Sequence, residues 1–229
     1  MRVVELFVSC QGEGLWTGEE SVFVRTGGCP LHCRFCDTPY AAWQAGEGCD
    51  MSVSEIVGHV QSSGKRHVVL TGGEPMLHAE LVPLTEQLEQ LGFLITIETS
   101  GTLDFPVRCH LMSISPKLSN STPPPESGEQ VVRRHENARI RIDVIRRLVE
   151  RYDCQLKFVV DTPADLPEIE QFLQQFPTLD KKRVLLMPQG ITEQEMRPKE
   201  EWLRPYAETQ GCVYCPRMQI IWYGNRRGT

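Results

Sequence analysis

Cys29, Cys33 and Cys36 are the residues of this sequence whose type and spacing carry the clearest chemistry. Three thiolates so close together can wrap one metal centre from a single loop, and soft sulfur ligands select zinc or an iron–sulfur cluster. A four-iron cluster ordinarily takes four cysteines. The local motif offers three, which leaves one iron open, and an open position marks a catalytic centre rather than a structural one. Zinc with His32 as fourth ligand, and simple buried thiols, stay open on this motif alone. A second signal is Gly72-Gly73-Glu74-Pro75. Its glycines let the backbone approach a ligand closely, and its carboxylate and carbonyls can accept from an ammonium. A plain turn explains the same tetrapeptide.

The elements that must position these residues alternate. Val4, Leu6 and Val8 read as a half-buried strand, and residues 21–26 as a second. Ser52 and Glu55 form a capping box that starts a helix over about 53–63. Residues 67–70 make a strand that ends at the Gly-Gly-Glu turn, and Leu77, Leu81, Leu84, Leu88 and Leu91 recur at helical spacing up to Gly92. Strands at 93–99, 109–115, 155–160 and 184–187 interleave with helices at 140–149, 164–175 and 192–208. Residues 120–129, with three consecutive prolines, read as an exposed loop, and 218–223 as a last strand. This alternation implies an α/β fold with a mostly parallel sheet of roughly six core strands, helices outside and the site at the strand C-termini.

The chain of 229 residues, with 40% hydrophobic and 24% charged residues, can bury a core and suits a single domain over residues 1–229. Its net charge of −6 and the shortness of its longest basic run, Arg133-Arg134-His135, argue against nucleic acid as a partner. No apolar run is long enough to span a bilayer, so no membrane association is expected. The N-terminal residues lack the apolar core of a signal peptide. The expected compartment is therefore the cytoplasm, where nine cysteines read as metal or redox ligands before disulfides.

The C-x3-C-x2-C spacing, followed by Gly72-Gly73-Glu74 at the end of the next strand, resembles the radical S-adenosylmethionine (SAM) superfamily. That resemblance implies a partial, open (β/α) barrel and a [4Fe-4S] cluster on Cys29, Cys33 and Cys36, with SAM on the open iron. Further motifs are Gln11-Gly12-Glu13-Gly14, Phe23-Val24-Arg25, Cys36-Asp37-Thr38, Glu98-Thr99-Ser100-Gly101-Thr102, Ser115-Pro116-Lys117 and the ending Tyr223 to Thr229. Together they resemble the 7-carboxy-7-deazaguanine synthase family over residues 4–229. Membership implies ring contraction of 6-carboxy-5,6,7,8-tetrahydropterin with loss of ammonia and recycling of SAM. It also implies Mg2+, a flavodoxin- or ferredoxin-type electron donor and a homodimer.

By the same resemblance Cys10, Gln11, Gly12, Glu13, Arg25, Thr71 and Thr229 meet the pterin. A guanidinium at Arg25 suits a substrate carboxylate because it pairs bidentately. Phe35, Cys36, Asp37, Gly73, Glu74, Ser115, Pro116, Lys117, Met187, Pro188, Gln189 and Gly190 meet SAM, and Thr38 is the protein ligand to Mg2+. Plainer roles stand beside these: a surface charge for Arg25, a solvated loop lysine for Lys117, a turn cap for Thr38. Glu98 reads equally as a ribose partner or a core hydrogen-bond acceptor. Gln219 stands where the family often has histidine and cannot shuttle protons. Cys212 and Cys215 read as structural, as do Cys10 (if it does not meet the pterin), Cys49, Cys109 and Cys154. The rival functions are a glycyl-radical activating enzyme and a non-catalytic zinc-binding module.

Overall fold

Alternation along the strands builds the architecture. In the computed structural model, which describes residues 1–43 and 48–229, the strand Leu94–Thr99 commits Ile95 and Ile97 to the hydrophobic core, and Leu111–Ile114 commits Met112 and Ile114. Cys154–Val160 likewise commits Leu156, Phe158 and Val160. The residues between them, among them Glu98, Ser113 and Lys157, line a cavity instead. Successive side chains of a strand point to opposite faces, so the sheet is apolar beneath its helices and polar on the other side.

Among the described residues nine strands form one sheet: β1 (Arg2–Cys10), β2 (Glu20–Thr26), β3 (Cys49–Asp50), β4 (His67–Gly72), β5 (Leu94–Thr99), β6 (Leu111–Ile114), β7 (Cys154–Val160), β8 (Val184–Pro188) and β9 (Val213–Tyr214). Their order is β3-β1-β2-β4-β5-β6-β7-β8-β9. β1 runs antiparallel to β2 and β3, and every pairing from β2 to β9 is parallel. This is an open, mostly parallel α/β sheet, as the sequence resemblance implies. The six expected core strands are β2 and β4 to β8, with a hairpin partner at one edge and β9 at the other.

The helices are α1 (Pro39–Ala42), α2 (Val53–Ser62), α3 (Leu81–Gln90), α4 (Glu129–Ala138), α5 (Ile142–Arg151), α6 (Leu166–Leu173), α7 (Glu193–Gln210) and α8 (Met218–Tyr223). α2 starts at the expected capping box. The crossover helices seal the sheet with Ile56, Leu84, Leu148, Phe172 and Leu203 in one continuous core. No helix among the described residues is long and apolar enough to cross a membrane.

Three expectations are corrected. The helix expected from Leu77 begins at Leu81, because Pro75–Leu77 is a separate 3-10 turn whose first amide is held by the Glu74 carboxylate. α4 was not expected, since only His135 of its residues is buried and no apolar stripe announces it. Residues 218–223 form α8, not a strand. A short apolar run does not distinguish the two by periodicity, and the sheet edge beside β8 is already taken by β9.

Candidate active site

A row of paired residues crosses the polar face of the sheet. Glu5 of β1 pairs in register with Arg25 of β2, and Arg25 with Thr71 of β4. Glu98 of β5 pairs with Ser113 of β6, and Ser113 with Gln155 of β7. Arg25, Thr71, Glu98 and Ser113 line a cavity of about 470 Å³, with Lys157 and Met187 from the neighbouring β7 and β8. The loops after the parallel strands close over it, as expected for such sheets.

Cys29, Cys33 and Cys36 lie together on the cavity wall, and none is in a disulfide. Their loop is pinned from several sides. The Gly28 amide donates to Ala41 O at 2.8 Å, the His32 amide to His135 Nδ1 at 3.1 Å and the Arg34 amide to Ser121 O at 3.0 Å. His135, 1% exposed, also bridges to Ser121 Oγ at 3.0 Å. The His32 ring is stacked on Trp43 at 3.7 Å and lines no part of the cavity, so it does not complete a zinc site. Burial pushes the Cys29 thiol up to about 12, with the Glu74 charge adding to it, and the Cys33 thiol up to about 11 despite nearby Lys117. Thiolates are the metal-binding form, so three of them here need a cationic centre to neutralise them. Three free thiols on the wall of one cavity are a soft donor set that fits an iron–sulfur cluster.

Thr38 lines the same cavity, with Oγ1 4.0 Å from Cys36 Sγ. It occupies the cap position of α1 but makes no side-chain capping bond there, so the turn-cap reading is set aside. Lys117 is no solvated loop lysine: its Nζ folds back onto Ser115, 2.8 Å from O and 2.6 Å from Oγ.

The Gly-Gly-Glu turn is welded to the cluster loop. The Gly73 amide donates to Thr26 O at 3.0 Å and the Glu74 amide to Gly28 O at 2.8 Å. A Cβ on Gly72 would lie 2.2 Å from Thr26 O, and one on Gly73 2.1 Å from Gly28 O. Glu74 needs correction. Its carboxylate is 0% exposed, lies outside the cavity lining and accepts from Thr99 Oγ1 (2.8 Å), the Ser100 amide (2.8 Å), Ser100 Oγ (2.5 Å) and the Met76 amide (3.1 Å). It therefore braces the turn, and only the Gly72 and Gly73 backbone is left facing the cavity. Pro116, Pro188 and Gly190 likewise flank the cavity without lining it, whereas Phe35, Asp37, Ser115, Met187 and Gln189 line it.

Cys10, Gln11, Gly12, Glu13, Arg25, Thr71 and Thr229 all line the same cavity. Arg25 Nε donates to Glu5 Oε2 at 2.6 Å, and Tyr40 OH donates to the same oxygen at 2.8 Å. Arg25 is thus held in place, side chain 16% exposed, rather than waving at the surface. Glu98 accepts from Gln11 Nε2 at 3.1 Å and Thr71 Oγ1 at 2.9 Å, so it fixes two cavity residues relative to one another.

Glu13 sits at the centre of a charged knot that the motifs did not reveal. Its carboxylate accepts from Lys157 Nζ at 2.5 Å, Arg217 Nε at 3.0 Å and Gln219 Nε2 at 2.6 Å. Burial opposes its ionisation, yet the Lys157 ammonium and the Arg217 guanidinium hold it far below the usual carboxylate range. Both cations are buried too, which disfavours their charge, but the adjacent carboxylates push their proton affinity up. The knot is therefore ionised throughout the neutral range and moves no proton itself. Lys157 had a readable signal, a lysine between apolar residues within a strand; Arg217, Tyr40, Glu5 and His135 had none.

Gln219 lines the cavity, and its Oε1 is a buried atom without a protein partner. Cys215 Sγ accepts from the Gly14 amide at 3.2 Å, while Cys212 lines a separate cavity of about 250 Å³ beside Tyr206. The two thiols serve different packing sites.

Comparison with known proteins agrees with this geometry. The model of the radical SAM superfamily matches residues 23–162. A 7-carboxy-7-deazaguanine synthase from Rhodopirellula baltica is 46% identical over 230 residues, covering 100% of this chain and 89% of that protein. One from Halobacterium salinarum is 42% identical, covering 97% and 90%. The crystal structure of QueE from Escherichia coli superposes with a TM-score of 0.69 at 26% identity, covering 95% of this chain and 93% of that one.

Proposed function

The chain belongs to the radical SAM superfamily and, within it, to the 7-carboxy-7-deazaguanine synthases, and from that premise we propose how its cavity handles the substrate. The reaction is conversion of 6-carboxy-5,6,7,8-tetrahydropterin to 7-carboxy-7-deazaguanine with loss of ammonia. The observation that carries this reading is one cavity with the three cysteines on its wall and Arg25 among its lining residues. Cys29, Cys33 and Cys36 would hold the cluster, which together with SAM would supply radical hydrogen-atom abstraction chemistry at pterin C6.

The residues of the chain orient and shield. In this reading Arg25, braced by Glu5 and Tyr40, grips the substrate carboxylate. Gln11 and Thr71, joined through Glu98, meet the ring with Cys10, Gly12, Glu13 and Thr229. Phe35, Asp37, Gly73, Ser115, Lys117, Met187 and Gln189 surround SAM. Thr38 offers its hydroxyl, which makes no capping bond to α1, to Mg2+, a hard cation that prefers oxygen. On family grounds the electron comes from a flavodoxin- or ferredoxin-type protein, and the enzyme is a homodimer of single radical SAM domains in the cytoplasm.

The test is anaerobic reconstitution with iron and sulfide, reduction, and addition of SAM with the carboxytetrahydropterin. Consumption of the pterin, release of ammonia and recovery of SAM are expected. SAM cleavage without pterin turnover would refute the substrate.

A further inference from the structure

The guanidinium of Arg217 touches three loops that are far apart in sequence. Nε donates to Glu13 Oε1 at 3.0 Å, Nη1 to Gly190 O at 2.5 Å, and Nη2 to Asp37 Oδ2. Glu13 belongs to the loop after β1, Asp37 directly follows the cysteine Cys36, and Gly190 follows the end of β8. The residue is 7% exposed, and its own segment is tied down by the Met218 amide, which donates to Gly12 O at 2.9 Å.

We infer that Arg217 is a positioning residue that sets the spacing between the pterin half and the cluster–SAM half of the site. This rests on the functional reading above. Asp37 moves with the cluster loop and Glu13 with the substrate loop, so one rigid planar fork fixes the distance between the two reacting partners. A guanidinium is suited to this because its donors diverge in one plane at fixed angles, whereas a lysine ammonium is a point charge on a flexible stem. The knot keeps its charges at neutral pH, so its contribution is geometric. Hydrogen abstraction needs the reacting atoms in near-attack contact, and a shift of about 1 Å costs roughly 10²-fold in rate.

The consequence is a change in coupling and not only in rate. In the native enzyme SAM is recovered, so little 5′-deoxyadenosine accumulates per product. When the two halves slip, SAM is still cleaved, and 5′-deoxyadenosine is released without product. A residue that merely supports folding lowers the amount of competent enzyme, and both outputs fall together.

The experiment uses anaerobically reconstituted full-length enzyme, chemically reduced, with SAM and the carboxytetrahydropterin. Cluster absorbance, product and 5′-deoxyadenosine are measured together. For Arg217→Lys, which retains the charge but not the fork, we expect wild-type cluster content and a rise of about tenfold or more in 5′-deoxyadenosine per product. Should this variant fail to load a cluster, Asp37→Asn, which removes one charged arm, reads the same ratio and is expected to raise it. An unchanged ratio in a cluster-loaded variant overturns the inference while the wild-type reaction stands. A wild type that cleaves SAM without consuming pterin removes the functional reading and the inference with it.

Discussion

Replacing Arg25 with alanine probes the carboxylate end of the cavity. The Arg25 and Glu5 side chains are each 16% exposed, so their environment lies between a surface ion pair and a fully buried one. A hydrogen bond to a charged group is worth about 1.5–3 kcal/mol, and partial exposure favours the lower figure. Two parallel bonds from Arg25 to a substrate carboxylate then amount to about 3 kcal/mol, or roughly 10²-fold in kcat/KM for the pterin. The structure adds a second effect. Without Arg25, Glu5 keeps, among the described residues, the Tyr40 hydroxyl as partner, and its charge beside the cavity disfavours a negative substrate. Arg25→Ala combined with Glu5→Gln is therefore expected to recover about fivefold, equivalent to ~1 kcal/mol. Arg25→Lys should recover less than its charge suggests, because an ammonium does not pair bidentately. The assay is steady-state pterin consumption with cluster absorbance as control. A value for Arg25→Ala within threefold of wild type, with the cluster intact, would refute the assignment.

Two further outcomes follow from packing and burial. Gly73→Ala places a Cβ 2.1 Å from Gly28 O, backbone that cannot yield cheaply, so we expect a loss of about 3 kcal/mol in urea unfolding, with lower cluster loading; wild-type values for both would contradict the close approach. His67, fully buried between Ser21 Oγ and Thr96 Oγ1 (2.7 and 2.9 Å), is pushed down to about 4 by burial. The unfolded chain therefore binds the extra proton between pH 6.5 and 4, and stability is full above this window and falls as pH drops through it. Between pH 7 and 5 wild type should lose on the order of 2 kcal/mol more than His67→Gln, and equal losses in urea titrations at the two pH values would refute it.

The sequence by itself determined the chemistry and most of the scaffold. Thiolate softness needs no tertiary context, so the cysteine triad announced a metal loop. The period-2 pattern that puts Ile95 and Ile97 in the core and Glu98 in the cavity is local, and so is the capping box of α2. The tertiary structure decided what depends on residues remote in the chain. Glu74 looked free to bind an ammonium, but Thr99 and Ser100, more than twenty residues on, occupy its carboxylate. Arg217 and Lys157 gained their meaning only when folding brought them to Glu13, across sequence separations of 204 and 144 residues. Residues 218–223 became α8 although a short apolar run does not distinguish helix from strand, and α4 acquired a role because His135 clamps the cluster loop. Local patterns record backbone geometry and ligand type. Which charges are neutralised, and which polar groups remain for a substrate, is fixed by long-range contacts that no single stretch of chain encodes.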